Sequence, residues 1–187
     1  ARHNDLDAII HLGDYIYESS ADGYGGETGK KLRRQHQPAN ELLTVQDYRQ
    51  RLAQYRTDPD LQAAHASAPF ITIWDDHETA DNAWTSGSAY HDPETKGNWN
   101  NRRNAALQAY YEWMPIRDPE PGQLFHQLHR TFDFGGPSGA LVLGEQRIAG
   151  ITQQRGPVRT LRSHRNGQQP DEHDAHQGQR ARGRSGC

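Results

Sequence analysis

The apolar positions of this chain fall into short runs set between long polar stretches. Residues 7–12 (DAIIHL) form one such run, and Gly13-Asp14 closes it with turn chemistry, which predicts a buried strand delivering Asp14 to a loop. Residues 19–29 are rich in Gly, Ser and Asp and predict a loop, while the polar stretch 30–37 offers no face to a core. Val45, Tyr48, Leu52 and Tyr55 then recur at helical spacing behind Thr44, a good N-cap with Asp47 in the first turn, until Asp58-Pro59 interrupts. Asp60 is placed to cap a second helix over 61–67, which stops short of Pro69. Residues 70–74 (FITIW) are β-branched and aromatic, a strand that delivers Asp75-Asp76-His77-Glu78 to its end and so repeats the layout of the first.

After a polar loop over 81–99, residues 101–113 (NRRNAALQAYYEW) place Ala105, Ala109 and Trp113 on one helical stripe with Ala106 and Tyr110 beside it, up to Pro115. Residues 131–134 and 140–143 are suited to further strands. The succession of strand, two helices, strand, helix and strands predicts an α/β domain with helices layered on sheet. Its extent is 1–150, since from Ile151 the pattern stops: Ile151, Val158, Leu161, Ala175, Ala181 and Cys187 are the only apolar residues in the last 37 positions, beside seven arginines. The segment 151–187 is expected to lack structure, and its composition reads as translation through a shifted frame. An arginine-rich tail suits nucleic acid, but the aromatic residues that would stack on bases are missing.

Composition changes this picture in two ways. The formal charge of -3 hides a split: residues 1–150 hold 14 basic and 21 acidic residues, a balance of -7, and 151–187 carry +4. An acidic domain does not favour a polyanion as a tight partner. The single cysteine, Cys187, permits no internal disulfide. No apolar run is long enough to span a bilayer, and no charged-then-apolar leader is present. The first residue is Ala1 rather than Met, which reads as a fragment or a processed start.

The chemistry lies at the two predicted strand ends. Ligands of α/β sheets gather outside the carboxyl ends of the strands. If the two strands are neighbours, Asp14, Asp75, Asp76 and Glu78 crowd one crevice, with His3, His11 and His77 near by in sequence, and such crowding is costly without a cation. Carboxylates suit hard cations such as calcium, magnesium, manganese or a trivalent iron. Two ions held about 3.5–4 Å apart are the usual clamp on a phosphate ester, and His77 could then donate a proton or a hydrogen bond to the phosphoryl oxygens. Tyr17 would bind well only to a strongly Lewis-acidic ion. Blander readings stand beside these: Gly13-Asp14 as an Asx turn, Asp75 or Asp76 as a helix N-cap, and Tyr15 and Tyr17 as packing residues.

Four segments carry a family likeness: HLGDYIYE (11–18), YRQRLAQYRTDPDLQAAHASAPFITIWDDHE (48–78), ADNAW (80–84) and RRNAALQAYYEWMPIR (102–117). In these the chain resembles the PhoD-like alkaline phosphatases, a branch of the metallophosphoesterases. The resemblance implies an incomplete metallophosphoesterase-type four-layer sandwich, helices flanking two mixed sheets, with a centre of ferric iron (Fe3+) and calcium (Ca2+) at the strand ends. It implies that Asp14 bridges the metals, Tyr17 is the iron-bound phenolate, Asp76 and Asp75 hold calcium, Asn82 is a further ligand and His77 faces the phosphate. Members of that family have ligand-bearing segments upstream of the first motif and histidine ligands downstream, for which no match is found here; His164, His173 and His176 lie in the tail and are not read as ligands.

The expected function is metal-dependent hydrolysis of phosphate monoesters or diesters, with only part of the active site in this chain and a periplasmic or secreted location implied by the resemblance. Nucleic acid enters only as a substrate of a diesterase. The alternative is an inactive metal-binding or partner-binding remnant. Oligomeric state is not legible.

Overall fold

The computed structural model describes residues 6–120, 128, 130–133 and the backbone of 140–143. These lie in the first of two compact units of the chain, Ala1–Gln154. The arginine-rich segment from Ile151, with His164, His173 and His176, lies outside the described residues.

Strand β1 (Ile9–His11) pairs in parallel with β2 (Phe70–Thr72), Ile9 opposite Phe70 and His11 opposite Thr72, and the Ile73 amide extends the ladder to the His11 carbonyl at 3.0 Å. The two predicted strands are therefore neighbours. Because they are parallel, the loops that leave their carboxyl ends emerge on the same side of the sheet. The crossover between them carries α1 (Gly26–Leu32), α2 (Val45–Tyr55) and α3 (Pro59–Ser67). Beyond β2 come a two-residue hairpin, β3 (Ala83–Trp84) with β4 (Gly87–Ser88), then α4 (Pro93–Lys96) and α5 (Trp99–Trp113). β5 (Arg130–Asp133) and β6 (Ala140–Leu143) form an antiparallel pair, and the Arg130 guanidinium donates to the Thr72 carbonyl of β2. This is an α/β fold.

Three expectations are corrected. Residues 19–37 hold a helix, α1, that hydrophobic periodicity could not reveal because none of its residues is buried; it starts from Gly25 in the left-handed region with no side-chain cap. The cap of α3 is Asp58 rather than Asp60: its carboxylate accepts from the Asp60 and Leu61 amides, and Pro59 occupies the first helical turn, where its missing N–H is no loss. Residues 81–99 are not loop throughout, since they contain β3, β4 and α4, the last again begun by an Asp-Pro pair.

The core lies between α2 and α5. Tyr48 and Leu52 of α2 meet Ala106, Leu107, Ala109, Tyr110 and Tyr111 of α5, with Trp74 edge-on to Tyr110 and Tyr15 and Ile16 of the loop after β1 completing the cluster. Thr44 and Asp47 form a reciprocal capping box at the start of α2, and Arg49 joins α5 through a two-pronged bond to Glu112 with both contacts at 2.6 Å. Two arginines are buried on the inner faces of these helices, Arg51 and Arg102. Arg102 is held by the Tyr48 hydroxyl, His91 and an ion pair with Glu41. Arg51 serves the loop after β1.

Candidate metal centre at the ends of two parallel strands

The chain reverses sharply at the end of β1. Gly13 has φ 102 and Asp14 φ 55, two consecutive residues in the left-handed region, which glycine accepts freely and aspartate tolerates better than most. Gly13 is also where the two loops touch: a Cβ there would lie 2.5 Å from the Asp75 Cβ. The reversal turns the Asp14 carboxylate toward the loop after β2. Behind it Tyr15, Ile16 and Glu18 are buried, while Tyr17 lies half-buried in the site. Tyr15 is thus a packing residue, as the blander reading had it.

Arg51 fixes this first loop from behind. Its guanidinium donates to the carbonyls of Tyr17, Ser19 (3.2 Å), Pro38 (3.0 Å) and Gln37 (3.0 Å), and burial draws it down to about 10, which leaves it charged at neutral pH. The second loop folds largely on itself. Asp75 accepts from the Asp76 amide at 3.0 Å, and Asp76 accepts from the His77 amide at 3.0 Å and the Asn82 amide at 2.6 Å. Glu78, almost fully buried, joins the loops by accepting from the Tyr15 amide and, at 2.7 Å, from the Asp75 amide. Its burial pushes it up to about 7 despite those donors, and the nearby Asp14 charge adds to the rise.

In the resulting crevice Asp14, Asp76 and His77 each present one ligating atom, and the three atoms lie within 4.8 Å of one another. Asp14 Oδ1 is buried with no hydrogen-bond partner among the described residues. A buried carboxylate oxygen left so is costly, and a cation would satisfy it. The Tyr17 hydroxyl donates to Asp14 Oδ2 at 3.4 Å, and its ring lies 4.4 Å from that of His77. Loss of solvation and the adjacent Asp14 charge push the Tyr17 phenol up to about 12, so the protein alone holds it neutral. The donor set, carboxylates with one imidazole and one phenol, therefore fits hard and strongly Lewis-acidic ions.

The other predicted ligands stand nearby without converging. Asp75 is raised by burial and by the Asp76 and Asp14 charges, but its carboxylate turns back on the Asp76 amide. Asn82, exposed and at φ 53, contributes its backbone amide to Asp76, while its side-chain amide donates to Asp81 at 2.7 Å. Sequence reasoning gave Glu18 no role, although it closes the first motif: its carboxylate is 2.8 Å from His77 Nδ1 and accepts the Asp81 amide at 2.7 Å. Burial works against that charge, but the His77 bond and the Asp81 amide outweigh it and hold Glu18 below the usual carboxylate range. Burial likewise opposes charge on His77, yet Glu18, Asp76 and Asp14 raise it to about 9.

The sequence profile of the PhoD-like phosphatases matches residues 1–181. The chain belongs to the PhoD-like phosphatase family. It is 46% identical over 143 residues to alkaline phosphatase D of Bacillus subtilis (strain 168), covering 74% of this chain and 23% of that protein. A solved structure of PhoD superposes with a TM-score of 0.58 at 43% identity, over 70% of this chain and 24% of that one. The chain thus spans about a quarter of the length of the relatives it matches.

Proposed function

We propose that this chain supplies part of an active site that hydrolyses phosphate monoesters or diesters with bound metal, outside the cytoplasm as in an exported phosphatase. The observation that carries the reading is the convergence of Asp14, Asp76 and His77 around a buried, unpartnered carboxylate oxygen. Asp14 and Tyr17 would hold Fe3+, Asp14 and Asp76 would hold Ca2+ with Asp75 and Asn82 as further ligands, and His77 would face the phosphate. Bound there, the two ions would supply positive charge to the phosphoryl oxygens and to the attacking water. The residues of this chain do the rest: the Asp76 and Asp14 carboxylates fix where charge is held, and the His77 ring offers a nitrogen to an oxygen of the ester. The parallel β1 and β2 pair, with α2 and α5 packed together beyond it, supports the four-layer arrangement of helices on two mixed sheets. No helix among the described residues is long and apolar enough to cross a membrane.

The test uses the full chain stripped of metal and reloaded with Fe3+ and Ca2+. Metal content and turnover of p-nitrophenyl phosphate and its bis ester are measured for the parent and for Asp14→Asn, a replacement that keeps tolerance of the left-handed backbone at this position. Expected are retained metal and turnover in the parent, both lost in the variant, and the ratio of the two rates reports mono- against diester preference. Metal retention without turnover overturns the catalytic reading in favour of a metal-binding remnant, and turnover indifferent to Asp14 overturns the site.

A further inference from the structure

Glu18 is a carboxylate for which the hydrolytic reading has no task. Its side chain is 8% exposed, and both its oxygens are committed to the loop after β2: Oε1 to the Asp81 amide at 2.7 Å and Oε2 to His77 Nδ1 at 2.8 Å. Placing an acid in such a position is costly unless its partners repay the lost hydration. Glu78 shows how a purely structural acid achieves that here, with backbone amides on both oxygens. Glu18 uses one oxygen for an imidazole instead. The Tyr17 ring, 4.4 Å away at 40°, limits the same imidazole from the side, so that both its tilt and its spin are restrained. With Nδ1 engaged, Nε2, 4.0 Å from Asp81 Oδ1, is the ring atom that faces anything bound beside Asp14 and Asp76.

We propose that Glu18 is a positioning residue, which accepts a hydrogen bond from His77 Nδ1 and so turns Nε2 toward the ligand of the Asp14 and Asp76 cluster. Metal-site histidines commonly donate their second nitrogen to a carboxylate in this way, and removing that partner costs about 10–100-fold in affinity or rate. The inference rests on the proposed hydrolytic site, but its first readout does not require turnover. In solution a neutral histidine favours the hydrogen on Nε2; Glu18 reverses that choice at His77.

The test is a two-bond proton–nitrogen correlation spectrum of the metal-free full chain labelled at histidine, at a pH where the ring is neutral, with the His77 signals assigned by their loss in His77→Gln. The parent is expected to show His77 as the Nδ1-protonated form, and Glu18→Gln to convert it to the Nε2-protonated form or a mixture. In the metal-loaded chain Glu18→Gln is expected to lower kcat about tenfold or more with KM little changed. An Nε2-protonated His77 in the parent overturns the proposal even if the variant does not fold. Unchanged His77 signals in a folded Glu18→Gln chain overturn it equally. Absence of turnover in the parent, with the Nδ1-protonated ring present, sinks the hydrolytic reading and leaves the positioning role standing.

Discussion

The loops that leave β1 and β2 bring their acids to the same crevice by opposite means. The first, from Gly13 to Ser19, is held from outside: a buried guanidinium gathers the Tyr17 and Ser19 carbonyls, and Glu78 takes the Tyr15 amide. The second, from Asp75 to Asn82, is held mainly by its own carboxylates turning back on its own amides, with tertiary ties where Glu18 accepts the Asp81 amide at 2.7 Å and where the Tyr48 hydroxyl donates to the Thr79 carbonyl at 2.7 Å. The Arg51 and Tyr48 ties originate on one face of α2, three residues apart, and both side chains are fully buried. A metal site assembled from two loops thus needs at least one that is shaped before its partner arrives and one that is shaped by the rest of the fold.

Removing the external support should have the largest effect. Arg51→Leu leaves four carbonyls without their donor, and an expected loss of about 3–5 kcal/mol follows from the cost of undoing a buried charged network. Urea unfolding of the full chain measures it. A loss below about 1 kcal/mol would mean that the first loop, like the second, shapes itself. Glu78→Gln comes next at about 2–3 kcal/mol, because an amide cannot accept from both the Tyr15 and the Asp75 amides in the same pose. That variant tests whether the loops are joined, so it should also loosen metal binding, whereas a destabilised chain with unchanged metal affinity would show the two loops to be independent.

This asymmetry also decides what could be read from the sequence. The second loop is local, and its acids sit beside the amides they cap, so Asp75, Asp76 and Glu78 were visible as a cluster at a strand end. The strand itself was legible from FITIW, and Thr44 with Asp47 announced α2 by the spacing of a capping box. Arg51 was not legible: an arginine within an amphipathic helix is normally assigned to the solvent face, and only the carbonyls of residues 17, 19, 37 and 38, remote in sequence, draw it inward. Glu18 escaped for the same reason, its partner lying 59 positions away. At α1, two glycines within seven residues and no buried residue remove both propensity and periodicity as signals. In the sequence Asp58-Pro59 reads as an interruption, although a proline directly after an aspartate begins a helix as readily as it ends one.

The Tyr48 tie of the second loop is weaker than the Arg51 tie of the first. Tyr48→Phe removes the donor to the Thr79 carbonyl and the acceptor for Arg102 Nε while keeping the ring in the core, so about 1.5–2 kcal/mol is expected, well short of the Arg51 variant. Measured with the same unfolding assay, an equal loss for both would erase the distinction between an externally and an internally shaped loop.

The smallest effect separates backbone conformation from side-chain bonding within the second loop. Asn82 closes that loop onto Asp76 through its amide while standing at φ 53, and its side chain bonds only the neighbouring Asp81 in the open. If conformation is what matters, Asn82→Ala should cost about 1 kcal/mol because alanine resists the left-handed region, and Asn82→Gly should remain near the parent. If the exposed bond to Asp81 is what matters, glycine should lose as much as alanine. The comparison is made with unfolding midpoints in the absence of metal, so that any role of the Asn82 side chain as a ligand does not enter. A glycine variant as weak as the alanine one would mean that the second loop depends on its side chains outside the acid cluster, and that its self-capping by Asp75 and Asp76 is insufficient to hold the shape on which the site depends.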